Sequence, residues 1–248
     1  VLILEGLILG VLIGTVLGVV GAGGAILAVP GLVAVMGLSA TSATTSSMVV
    51  VGTAALSGAL RRVKSKNLDI KTGITFSLLG FLGTLLGSQI VRFFSDRVLL
   101  LLFALLMIVA ATGMWRHHVS DREMDKPHWS RVVLTASIVG LLTGLLGVGG
   151  GFLIVPALVL ILGVKVKLAA GTSLVAIAMN SAIAFLLRFH YWHAVPWTSV
   201  LVFAGAAVVA SFVTTPLATK LPAKALQKAF SVLVVLVAIY MVVSQIFK

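Results

Sequence analysis

Residues 18–30 read GVVGAGGAILAVP, and residues 144–156 read GLLGVGGGFLIVP. Extended to Gly37 and Gly163 at a constant offset of 126, the copies agree at ten of twenty positions, among them Gly18, Gly21, Gly23, Gly24, Pro30 and Gly37. One inserted residue later, Thr45-Ser46 matches Thr172-Ser173, and Arg61 matches Arg188. Glycine is common in apolar sequence, so a single copy would mean little. Two copies in register over about 45 residues make an internal duplication. The chain divides accordingly into a repeat at residues 1–116, a polar linker at 117–130 and a second repeat at 131–248.

The 248 residues are 60% hydrophobic and 10% charged, with a mean hydropathy of +1.22. A soluble domain carries roughly 25% charged residues. Apolar runs long enough to cross a bilayer recur along the whole length, which predicts an all-α polytopic membrane protein. There is no cysteine, so disulfides and thiolate metal sites are excluded. A net charge of +12 raises the question of nucleic acid. In a membrane chain, however, basic residues at segment ends set topology and meet anionic headgroups. The expected partner is the lipid bilayer and not nucleic acid. Residues 1–20 lack a basic leading region and run straight into the first repeat, so they read as a helix and not a signal peptide.

Three glycines in the four positions Gly21, Ala22, Gly23 and Gly24 weaken any helix. The apolar segment that follows, residues 25–36, would extend roughly 18 Å, too little for a core of about 30 Å. This predicts a helix pair broken at the glycines, re-entrant in form. Three spanning helices follow in each half: one ending near residue 60, then 72–91 and 98–115 in the first, and 169–187, 195–216 and 225–247 in the second. Residues 38–47 read as a Ser/Thr-rich approach to the first of them. If each broken pair returns to its starting side, the halves are inverted repeats. Then 14 of the 18 Lys and Arg fall on one face, in the segments 61–71, 116–131, 165–167 and 220–228. Parallel repeats would divide them 11 to 7, and the positive-inside rule favours the former. Both termini are expected on the non-cytoplasmic side of the inner (plasma) membrane.

Broken backbone inside hydrocarbon is tolerated where it lines a cavity, and helix starts there present N–H groups and partial positive charge. The expected anion site is therefore Gly21, Ala22, Gly23, Gly24 and Ala25 with Gly147, Val148, Gly149, Gly150 and Gly151. The same glycines could instead serve close helix packing. Hydroxyls and an amide form a second set: Thr44, Thr45, Ser46, Thr172, Ser173 and Asn180. They could donate to oxyanion oxygens, or bond helix carbonyls as Ser and Thr routinely do. Arg188 lies on the poorly charged face, where its planar donor fork suits oxyanions. Proton coupling would draw on His190, His193 or Glu5, although an interfacial aromatic belt also accounts for the histidines beside Tyr191, Trp192 and Trp197. The glycine motifs lie between apolar helical runs with no βαβ unit, and no catalytic signature is present. The chain does not read as an enzyme, and no cofactor or metal is expected. A homodimer is compatible with the sequence.

The duplicated G-x-x-G-x-G-G-[AG]-x-L-x-V-P followed by a Thr-Ser pair resembles the TauE/SafE family of membrane permeases, the sulfite exporters, over nearly the whole chain. The second copy, with Gly171-Thr172-Ser173, is nearer the family pattern. The first has Ala25 in place of a third glycine and Thr44-Thr45-Ser46 in place of Gly-Thr-Ser. The resemblance implies outward secondary transport of sulfite or small organosulfonates. Residue chemistry by itself reaches a small anion and a membrane. The alternatives are a passive anion channel, and a non-transporting membrane-embedded enzyme or assembly subunit.

Overall fold

The computed structural model describes residues 2–63, 67–90, 96–116, 129–146 and 151–246. All elements among them are helical: α1 (Leu2–Val20), α2 (Gly23–Met36), α3 (Ala40–Val63), α4 (Ile70–Ile90), α5 (Asp96–Arg116), α6 (Trp129–Leu146), α7 (Gly151–Pro156), α8 (Val166–Leu187), α9 (Trp197–Lys220) and α10 (Ala223–Ile246). A π-helical turn, Ala157–Ile161, continues α7, and a 3-10 helix, Phe189–Ala194, follows α8. Four of these helices are long and apolar enough to cross a membrane, over Thr41–Val63, Ile70–Gly87, Val166–Leu187 and Trp197–Ala218. The protein is an all-α polytopic membrane protein.

Two boundaries differ from the sequence reading. The first break spans only Gly21 and Ala22, because α2 already begins at Gly23. Gly21 has φ +90, which a residue with a side chain rarely adopts, and with Ala22 at φ -141 it turns the chain. The Ser/Thr-rich stretch before residue 48 is helical from Ala40. Two of its hydroxyls bond carbonyls of their own helix, Thr45 to Thr41 at 2.9 Å and Ser47 to Thr44 at 2.8 Å, and are satisfied without unwinding it. Asp69 caps α4 by accepting from the Thr72 amide at 3.1 Å and the Thr72 hydroxyl at 2.7 Å.

The helices pack in a pattern that recurs between the halves. After Gly21 the chain doubles back, placing Gly24 against Ile13 and Leu17, and Gly31 against Leu9. Helix α1 lies along α9, with Gly14 on Ala207 and Gly18 on Ser211. Helix α4 lies along α6 in the same way, with Gly80 on Gly140. The offset between the two glycine motifs, with the one inserted residue, carries Gly14 to Gly140 and Gly80 to Ala207. Helices α3 and α8 are repeat mates and run antiparallel: Gly52 meets Ser181, Gly58 meets Leu174 and Arg62 meets Gly171. Helix α5 packs on its own mate α10, where the Met114 carbonyl accepts from the Gln227 side chain. Both short helices also close alike. The Leu38 amide donates to the Leu32 carbonyl at 3.4 Å and the Val164 amide to the Leu158 carbonyl at 2.8 Å, beside Gly37 at φ +64 and Gly163 at φ +66.

Those contacts also sort the ends of the bundle. The Arg62 side chain reaches Gly18 and Lys167, and Gly18 faces Ser211 and Thr214. The ends of α1, α3 and α9 therefore lie with the start of α8, and Lys228 over the Trp115 ring brings the end of α5 beside the start of α10. This is the basic end. The opposite end carries Arg188, Tyr191, Trp192 and Trp197 around the 3-10 helix.

Candidate functional site

The starts of α2 and α7 meet inside the bundle. A Cβ added at Gly151 would lie 3.3 Å from the Cβ of Ala25, its repeat mate, and 2.9 Å from the Ile177 side chain. Ile177 sits midway along α8, so the meeting point is near half the height of the bundle. Alanine at position 22 precedes α2 and no side chain caps that start. The first N–H groups of a helix lack the usual intrahelical acceptor and carry the positive end of its dipole; at this start the Ala25 amide donates to the Ala22 carbonyl at 3.3 Å.

The first bend lies closer to the basic end and is buried against α8. A Cβ at Gly21 would stand 2.4 Å from the Ala170 carbonyl oxygen. Ser173 donates to the Gly21 carbonyl at 3.1 Å and to the Ala170 carbonyl at 3.0 Å. In this arrangement the Ser173 hydroxyl holds the bend, and Ala22 is fully buried. Gly23 opens α2, and Gly24 presses on the Ile13 carbonyl, where an added Cβ would be 2.6 Å away. The expected counterparts Gly147, Val148, Gly149 and Gly150 lie outside the described residues.

The remaining predicted residues have separate surroundings. Thr44 is partly buried on α3. Thr45 is fully buried and bonded within its helix. Ser46 is fully buried, and its hydroxyl has no hydrogen-bond partner among the described residues. Its repeat mate is Ser173. The Thr172 hydroxyl accepts from the Asp69 amide at 3.1 Å, tying the α3–α4 connection to α8. Asn180 accepts from the Ser77 hydroxyl, joining α8 to α4. Arg188 ends α8 with its guanidinium 5.4 Å above the Tyr191 ring. Fifteen residues separate it from Ser173, about 22 Å along the helix. The structure therefore gathers Ala25 and Gly151 at mid-height, and Gly21 with Ser173 nearer the basic end. It leaves Arg188 at the other end.

Near Arg188, a cavity of about 640 Å³ opens between α3 and α8. Gly52, Thr53, Ser181, Phe185, Trp192 and Trp197 are among its lining residues. Phe185 stacks on Trp192 at 4.5 Å, and the Trp192 indole donates to the Phe185 carbonyl at 3.0 Å, so the aromatic group is fixed. His190 and His193 are exposed beside it. Glu5 belongs to α1, and its side chain lies outside those described.

Sequence reasoning passed over Arg62, which it counted only within the basic segment 61–71. Arg61 is exposed, 4.8 Å from the Phe212 ring. Arg62 is 1% exposed and donates to the Gly18 carbonyl at 3.0 Å, the Val19 carbonyl at 3.5 Å and the Lys167 carbonyl at 3.2 Å. Unwinding at Gly21 and Ala22 deprives the last carbonyls of α1 of intrahelical donors, and Arg62 supplies them. The one available signal was the break itself, which needs a donor from elsewhere in the chain.

Comparison with known proteins identifies a family. The family model "Sulfite exporter TauE/SafE" matches residues 6–241. A probable membrane transporter protein of Xylella fastidiosa (strain Temecula1) is 34% identical over 94% of this chain and 92% of its own length. The probable membrane transporter protein YunE of Bacillus subtilis is 27% identical over 70% of this chain and 73% of its own. No solved structure matches. The chain belongs to the TauE/SafE family of membrane transporters.

Proposed function

We propose that the chain is a secondary transporter that exports a small sulfur-containing anion, sulfite or a small organosulfonate, by alternating access between two inverted halves, residues 1–116 and 131–248. The observation that carries this reading is the meeting of Ala25 and Gly151 at mid-height. Two helix starts related by the repeat face each other there, which suits a negatively charged guest. Support for the inverted relation comes from the antiparallel mates α3 and α8, and from the equivalence of α1 on α9 with α6 on α4. The family name points to the same class of guest. The buried Ser46 hydroxyl adds a donor within the core of α3.

In this reading the basic end faces the cytoplasm of the inner membrane and both termini face away. The first bend, sealed by α8, represents a state in which the path does not run through. A proton gradient is the proposed driving force. Proteoliposomes loaded with buffer test the whole proposal. Sulfite or an alkyl sulfonate should enter with saturable kinetics and at a rate that responds to an imposed pH gradient. Flux that rises linearly without saturation would replace the transporter by a channel, and absence of flux would leave neither.

A further inference from the structure

Arg62 does more than complete the end of α1. Its guanidinium touches the last carbonyls of α1 in the first repeat and the Lys167 carbonyl, at the start of α8, in the second. Gly171 makes room for it, since a Cβ there would lie 3.2 Å from the Arg62 Cδ and 1.9 Å from the Asn67 carbonyl oxygen. At this end, therefore, one buried cation and the backbone of residue 67 hold α3 against α8. The position equivalent to Arg62 in the second repeat is Phe189. It is uncharged and 57% exposed.

We propose that Arg62 is the latch of the basic face, and that an oxyanion on its way through takes the place of the Lys167 carbonyl on the guanidinium. This rests on the alternating-access reading above. Opening the basic end requires α8 to leave α3. That motion breaks the bond to Lys167 while the bonds to Gly18 and Val19, within one repeat, persist. The guanidinium nitrogen released from Lys167, in a dry setting, prefers a charged oxyanion to a neutral carbonyl, because both members of the new hydrogen bond carry charge. The anion thus favours the opened latch over the closed one, which couples its passage to the motion.

The chain contains no cysteine, so a single reporter suffices. Leu174 is fully buried between α3 and α8, beside Gly58 and deep to Arg62. In membrane vesicles of defined orientation, Leu174→Cys should resist a membrane-impermeant maleimide applied to the basic face. Adding Arg62→Gln should raise the labelling rate from that face about tenfold, the effect of losing one charge-assisted hydrogen bond. Arg62→Lys keeps the charge but loses the fork, and should give an intermediate rate. It also carries the test if the glutamine variant fails to fold by gel filtration. An alkyl sulfonate, which unlike sulfite does not consume maleimide, should speed labelling with Arg62 present and have no effect on Arg62→Gln. Labelling unchanged in both folded variants, or increased only from the opposite face, overturns the latch. Labelling requires no flux, so a wild-type protein without sulfite uptake would overturn the transport reading and leave the latch to be judged by its own result.

Discussion

Ser46 and Ser173 occupy matching places in the two repeats, and their hydroxyls have different circumstances. Ser173 bonds the Gly21 and Ala170 carbonyls, whereas Ser46 is fully buried with no hydrogen-bond partner among the described residues. Replacing Ser173 by alanine leaves a buried carbonyl short of a donor and should cost about 1–3 kcal/mol. Ser46→Ala removes an unpartnered hydroxyl and should change stability by no more than about 0.5 kcal/mol. It should nevertheless weaken stabilisation by sulfite if that hydroxyl serves the guest. Thermal unfolding of both variants, with and without sulfite, measures the two effects, and equal losses of stability would contradict the difference. At this scale the sequence was only partly legible. Repeat matching singled out Thr45, Thr172 and Ser173 as residue types, but not their hydrogen-bond partners, which lie on the same helix, on the α3–α4 connection and on the Gly21 bend. Arg62 escaped because a buried arginine and an interfacial one look alike in a basic pair. Only packing distinguishes them.

Helix pairing is set by small residues. A Cβ at Gly14 would lie 2.2 Å from the Ala207 carbonyl oxygen, and one at Gly140 would lie 2.1 Å from the Gly80 carbonyl oxygen. Helices in lipid associate through such close backbone approach, since apolar burial alone gives little advantage there. Gly14→Val and Gly140→Val should each destabilise the fold by about 3 kcal/mol or more, at or above the usual range for overpacking because backbone stands in the way. Gly205→Ala, with open space around it, should be neutral. Unfolding in detergent checks all three, and a large loss at only one of Gly14 and Gly140 would argue against their equivalence. Most elements were legible from apolar run lengths, to within a few residues. The Ser/Thr-rich start of α3 was not, because two of its hydroxyls satisfy themselves on helix carbonyls. The break was read as four residues wide and proved two, since Gly21 at positive φ and Ala22 beside it are enough to turn the chain.

For the whole molecule, the distribution of charge and the arrangement of helix ends point the same way. The segments holding 14 of the 18 Lys and Arg include the ends that Arg62 and Lys228 draw together. The duplication and this charge bias were visible in sequence, whereas the contact of Ala25 with Gly151 depended on how two distant segments cross. Single cysteines at Asn67 and Lys224 should react with an impermeant thiol reagent from the cytoplasmic side, and one at Tyr191 only from the other. Mixed sidedness within the first pair would break the proposed orientation. The central claim is that the mid-height meeting of α2 and α7 holds a sulfur oxyanion. Thermal unfolding of the purified protein, titrated at constant ionic strength with sulfite, an alkyl sulfonate and chloride, addresses it directly. The account predicts saturable stabilisation by sulfite or the sulfonate, reaching about 2.7 kcal/mol at a hundredfold excess over Kd, and none by chloride. Equal stabilisation by chloride, or no response to any of the three, would contradict it.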